Sequence, residues 1–318
     1  SVQRVAASGA TSVVTDTPLS DLTATDGGSV LVNAGGTVTL TDGADGDGQA
    51  ISVTGPGTVT VNAVSGDVQV QADVQSGAGS IGIVAAQGTI TVDAVLRSGS
   101  GDVTLSSLGS VQWGTDGGTE RTDAGAGGTL TLNSFLPTQD IVIGGTAPAN
   151  PLPGDTTWYF DQTALAKLAD GYGNVVIGGA GHTGRITLDG STSALAFRYP
   201  VLVQAAAGAD VVLRGHVSGV GLQVSGQAPL LLDNAQVRME GSEGIVLQGA
   251  VRLSGDVVLS ADHLAFGGGA GSVRAASAGG ATLALRPIDA SQAVLLGSGA
   301  GGAAGWQLDQ TLLAAIGS

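Results

Sequence analysis

The sequence predicts an all-β chain, wound as a right-handed parallel β-helix (a β-solenoid) with short lateral helices. Three observations predict this. Short segments of alternating apolar and small polar residues recur at a near-constant interval, the composition favours strands and turns over helices, and one long motif returns 148 residues later.

The interval is clearest in the first third. Thr37-Val38-Thr39-Leu40, Thr58-Val59-Thr60-Val61, Ser80-Ile81-Gly82-Ile83 and Asp102-Val103-Thr104-Leu105 each alternate β-branched and small polar residues between Gly, Asp and Ser. That is the pattern of a strand with one buried face. Val38, Val59, Ile81 and Val103 lie 21, 22 and 22 positions apart; Val68, Ile90 and Val111 lie 22 and 21 apart; Val30 to Ile51 is again 21. Two interleaved ladders with one period point to windings that stack, since a single winding cannot bury its own apolar face. Glycines at Gly35, Gly36, Gly57, Gly66, Gly88 and Gly101 are expected at the corners, where positive φ or tight turns are needed. Right-handed winding follows from the rule for crossovers between parallel strands.

After Leu130 the period is less even, but Val175-Val176-Ile177, Ile186-Thr187-Leu188, Val211-Val212-Leu213, Leu222-Gln223-Val224, Ile245-Val246-Leu247 and Val257-Val258-Leu259 all read as strands. Pro148, Pro151 and Pro153 mark a loop thrown out of one winding. The predicted organisation is regular windings of about 22 residues over 1–128, one long repeat over 129–281, and the start of the next over 282–318.

Composition agrees. The chain has 318 residues, 55 glycines, no cysteine and a net charge of −15, with 12% charged and 42% hydrophobic residues. Low charge with abundant aliphatics argues against disorder. No uninterrupted apolar run reaches the length of a membrane span, so no membrane insertion is expected. Ten arginines and one lysine against 26 acids exclude a basic nucleic-acid binder. Among those acids are 23 Asp and only three Glu, Glu120, Glu240 and Glu243. Asp favours turns and Glu favours helices, so a turn-rich chain with little helix is expected. Ser1 opens the chain without Met, the expectation for a mature product or a segment of something longer.

The long motif is Trp158-Tyr159-Phe160-Asp161-Gln162-Thr163-Ala164-Leu165-Ala166-Lys167-Leu168, which returns as Trp306-Gln307-Leu308-Asp309-Gln310-Thr311-Leu312-Leu313-Ala314-Ala315-Ile316. Upstream, Thr129-Leu130-Thr131-Leu132 matches Thr282-Leu283-Ala284-Leu285, and Ile143-Gly144 matches Leu296-Gly297. Each copy reads as a strand running into a short helix, with Asp161 and Asp309 as N-caps. Leu165 and Leu168 share one helix face, Gly171 supplies the left-handed stop, and Trp158 packs beneath as a structural anchor.

This unit, with Gly173-Asn174-Val175-Val176-Ile177-Gly178 and Gly184-Arg185-Ile186-Thr187-Leu188 after the first copy, resembles the β-strand repeats of very large bacterial exoproteins, the filamentous-haemagglutinin-like adhesins of two-partner-secretion type. The resemblance covers 129–318 by motif. It implies a β-helical shaft, an extracellular or cell-surface location, and a part in adhesion, biofilm or surface coating, with no catalytic residues and no resident cofactor. Partners implied are a host-cell or matrix surface, glycans among them, and other copies along a fibre.

Candidate sites are few. Asp42, Asp45 and Asp47 sit among glycines in Asp42-Gly43-Ala44-Asp45-Gly46-Asp47-Gly48, a carboxylate set suited to calcium, although no acid follows at a bidentate position and an ordinary solvated corner competes with it. Arg214, Arg238 and Arg252, with Glu240 nearby, are the one charged cluster that could meet a glycan, against the plainer reading of solvated ion pairs. His182, His216 and His263 follow no zinc spacing and read as surface corner residues. Outward Thr39, Thr60, Gly82, Thr104, Gln69, Thr91 and Gln112 carry no ionisable group, which argues against a polysaccharide-degrading enzyme, the alternative to a non-catalytic shaft.

Overall fold

The computed structural model describes residues 2–5, 8, 11–14, 21–121, 127–145, 157–168, 172–277, 280–297 and 305–316. Among these, strand dominates, and helix is confined to α1 (Gln162–Leu165) and α2 (Gln310–Ala315). The chain forms two compact units, 1–136 with 148–175, and 137–147 with 176–318.

In the first unit the strands fall into three parallel ladders, each receiving every third strand of the chain. One holds Ser29–Ala34, Val59–Ala63, Ile81–Ala85, Val103–Ser107 and Thr129–Ser134. A second holds Val38–Leu40, Val68–Val70, Ile90–Val92 and Val111–Trp113. The third holds Leu22–Ala24, Gln49–Val53, Asp73–Ser76, Val95–Ser98 and Gly118–Arg121. Like stacks on like. Val30, Val59, Ile81, Val103 and Leu130 form one buried column, Val38, Val68, Ile90 and Val111 another. Each fully buried Val, Ile or Leu contributes about 1.5–3 kcal/mol. Between columns, the outward Asn62 donates Nδ2–H to Asn33 Oδ1 at 2.7 Å across the ladder.

The 22-residue period holds where it was read, from Val59 to Ile81 to Val103 and from Val68 to Ile90. The first step does not. Val38 pairs with Val68, not Val59, and Val30 pairs with Val59 while Ile51 pairs with Leu22. The acidic segment around Asp42–Gly48 lengthens the first repeat to 29 residues from Val30 to Val59 and 30 from Val38 to Val68. A residue in one ladder thereby lands a false period away from a residue in the next.

Gly35, Gly36, Gly66, Gly88 and Gly101 lie at bends between strands, but not through positive φ. Gly57 does not have positive φ either. A Cβ on Gly57, Gly79 or Gly101 would instead overlap the carbonyl oxygen of Gly28, Gly57 or Gly79, one repeat earlier. Close approach of backbone to backbone fixes glycine in this column. Gly35 and Gly36 have open space and no such need.

The second unit is also built of parallel ladders, but its strands run through their bends. Val211–Ser225 and Leu230–Leu247 change ladders at register shifts between Arg214 and Gly215, Gly219 and Gly221, and Asp233 and Gln236. Gly215, Asn234 and Gly255 take positive φ there, the left-handed geometry that glycine and asparagine tolerate. Its buried columns are Ile141–Ile186–Val211–Leu230–Val251–Val273, then Leu195–Val217–Val237–Leu259, then Val201–Leu222.

Both copies of the long motif fold alike. Asp161 Oδ1 accepts from Ala164 N–H at 2.7 Å and Asp309 Oδ1 from Leu312 N–H at 2.8 Å, each opening its helix as expected. Leu165 and Leu168 are buried. Trp158 is buried, stacks on Phe160 at 5.9 Å, and donates Nε1–H to Ser107 Oγ at 2.9 Å. The end of α2 meets the edge strand Val273–Ala275, where Gly271 N–H reaches Ala314 O and Val273 bridges Ile316. Gly171 and the Pro148, Pro151 and Pro153 loop lie outside the described residues.

One set of contacts runs the other way. Val2–Val5 pairs antiparallel with both Thr11–Val14 and Ser29–Ala34.

Candidate functional site

The acidic segment folds back on residue 21. One carboxylate oxygen each from Asp21, Asp42, Asp45 and Asp47 lies within 4.8 Å of the others. Asp21 takes positive φ and accepts Gly43 N–H at Oδ1, 3.1 Å away, which turns its side chain into the loop. Gly46 and Gly48, both at positive φ, let the loop curl, and Asp47 Oδ1 accepts Gln49 N–H at 2.8 Å. Two acceptor oxygens in this corner, Asp42 Oδ1 and Gln49 Oε1, are shielded from water with no hydrogen-bond partner among the described residues. Loss of water, then the charges of Asp45, Asp47 and Asp42, push the Asp21 carboxyl above its ordinary range, against the pull of the Gly43 hydrogen bond. Hard oxygen ligands converging on one point suit calcium. Sequence reading found three of the four. Asp21 escaped it because the long first repeat pairs Leu22 with Ile51, which brings Asp21 beside an acidic loop 21 to 26 residues further along the chain.

The three arginines do not meet. Arg214 Nη2 lies 2.8 Å from Asp189 Oδ2 and is in register with Asp233. Arg238 Nε donates to Glu240 Oε1 at 2.8 Å, both side chains at least half exposed. Arg252 is in register with Arg274 on the next strand. The ladder separates them into different rows.

Asp189 was missed by sequence reading. It is 6% exposed at a bulge in its strand. Burial would raise its carboxyl, but Ser191 Oγ–H at 2.6 Å, Ser191 N–H at 3.0 Å and the Arg214 guanidinium together hold it below the usual carboxylate range. A turn carboxylate followed two residues on by serine is the local signal that could have marked it.

The histidines need a correction. His216 and His263 are exposed, but His182 is 1% exposed, with neither ring nitrogen hydrogen-bonded among the described residues. Burial lowers its pKa, and the Asp140 charge offsets this in part. Its backbone ties two turns together through His182 N–H to Gly179 O and Ala206 N–H to His182 O.

Outward rows also regroup. Thr39 lines up with Gln69, Thr91 and Gln112, whereas Thr60 lines up with Gly82, Thr104 and Thr131. The third ladder, unseen in the sequence, does carry an ionisable outward pair, Arg97 with Asp73 at 3.5 Å. Among the described residues no helix is long and apolar enough to cross a membrane. Set against family models, curated proteins and solved structures, the chain finds no match.

Proposed function

We propose that this chain is a non-catalytic shaft segment of a secreted bacterial surface adhesin or filament, a right-handed parallel β-helix acting in adhesion or biofilm contact. One observation carries the reading: aliphatic columns stacked in parallel ladders that each take every third strand of the first unit. Stacked windings resist extension because each backbone group bonds to the winding before and after it. The acidic surface keeps such molecules soluble and apart. Absence of cysteine suits an export path in which the chain crosses a pore unfolded. Partners are a host-cell or matrix surface, including glycans, and neighbouring copies along a fibre; neither nucleic acid nor membrane insertion is part of the function.

The test is surface labelling of intact cells of the source organism. Protease shaving that releases fragments of this chain, together with loss of surface attachment on its deletion, is the expected result. An intracellular location would sink the reading. The competing enzyme would degrade a polysaccharide, and turnover in a glycan panel would establish it.

Calcium at Asp21, Asp42, Asp45 and Asp47 is a second reading, favoured by their convergence. The ion would staple the first winding rather than take part in a reaction.

A further inference from the structure

The charges of this acidic chain are unevenly spread. Residues 1–175 hold 17 acids against four basic side chains, whereas 176–318 hold nine against seven. In the second unit, one row runs Ser218, Arg238, Ser260, Arg286 across four neighbouring parallel strands, with both arginines exposed and Ser260 buried between them. Two residues back along the strands, the adjacent row begins His216, Gln236. These side chains line a cleft of about 320 Å³. The two arginines stand two strands apart, about 9.5 Å along the ladder. Arg286 has no hydrogen bond or ion pair to another side chain among the described residues, while Arg238 is held only by the exposed Glu240. An exposed pair of that kind is worth little and exchanges readily for another carboxylate.

We propose that this row binds an acidic polysaccharide bearing carboxylates on separated sugars, a uronate-containing glycan. The proposal rests on the adhesive reading and gives it a ligand class. Two guanidinium forks suit carboxylates held bidentately, and the neighbouring Ser218 and Gln236 side chains suit sugar hydroxyls. Nucleic acid fits worse. One negative charge per 1.7 Å of duplex needs a dense basic surface, and this unit has none to spare.

The test is affinity electrophoresis of the whole chain in gels containing polygalacturonate, neutral dextran or double-stranded DNA. Expected are retention by polygalacturonate alone, roughly tenfold weaker binding for the double variant Arg238→Ala/Arg286→Ala, the worth of one or two charged hydrogen bonds, and stronger binding for Glu240→Gln. Far-UV circular dichroism checks folding, and the Glu240→Gln arm decides the matter if the double variant misfolds. Equal mobility in polygalacturonate and dextran, retention untouched by the substitutions, or stronger retention by DNA would each overturn the proposal. None of these results moves the shaft reading, which depends on surface location.

Discussion

At the scale of single residues, Asp189 and His182, both buried, make opposite use of their surroundings. Asp189 is surrounded by donors, and its depressed pKa means the folded state favours the charged form. That contribution is present above the ordinary carboxylate pKa of about 3.9 and is lost as pH falls through the lower folded value. Asp189→Asn is therefore expected to lower unfolding free energy by about 1.5–3 kcal/mol at pH 7, with a smaller deficit at pH 3, measured by urea denaturation. The His182 ring has no donor or acceptor partner among the described residues, and its lowered pKa means the folded state favours the neutral form. Its contribution is complete above about pH 6.5 and erodes as pH falls below that. Amide exchange at His182 and Ala206, which anchor this corner, is expected to quicken between pH 7.5 and 5 beyond the intrinsic trend (roughly the span over which histidine titrates), and His182→Leu should abolish the excess. Neither behaviour was legible in the sequence. A histidine beside glycine looks like any surface corner, and the burial of His182 comes with backbone bonds from distant chain, Ala206 N–H to His182 O and Thr183 and Gly184 N–H to Pro137 O.

At the scale of elements, what was legible is what repeats locally. The two Asp-Gln-Thr caps could be placed from the sequence because an N-cap depends on the three residues after it, and Asp161→Ala or Asp309→Ala should each cost about 1 kcal/mol. Strands such as Ile81–Ala85 and Val103–Ser107 were equally plain from alternation. Ladder membership was not, since Val38 and Val59 share a pattern and a spacing while sitting in different ladders. The corner glycines give a clean contrast. Gly79→Ala places a methyl on the Gly57 carbonyl and should destabilise by about 1–3 kcal/mol, whereas Gly35→Ala, with open space, should be near neutral in thermal unfolding. In the acidic loop, millimolar calcium is expected to raise the melting temperature of the wild type and not of Asp45→Asn/Asp47→Asn. An equal shift in both would remove calcium from that corner.

At the scale of the whole molecule, nearest-neighbour stacking decides how damage spreads. Ile83 faces inward between Val61 and Leu105. Ile83→Ala should cost about 2–5 kcal/mol, and in a stack of this kind the loss is local. Hydrogen exchange should therefore rise first in the strands around Val59–Ala63 and Val103–Ser107, leaving Val211–Ser225 nearly unchanged; a uniform rise over the chain would contradict stacking as the source of stability.

The strand Val2–Val5 has one further consequence. A row of parallel strands can lengthen indefinitely, because each new member presents the same edge as the last. Here that edge of Ser29–Ala34 is taken by a segment of opposite polarity, so the parallel order of the ladder stops at this strand. The reversal works as a punctuation mark in the polarity of the ladder, after which any further strand has to pair by a different rule.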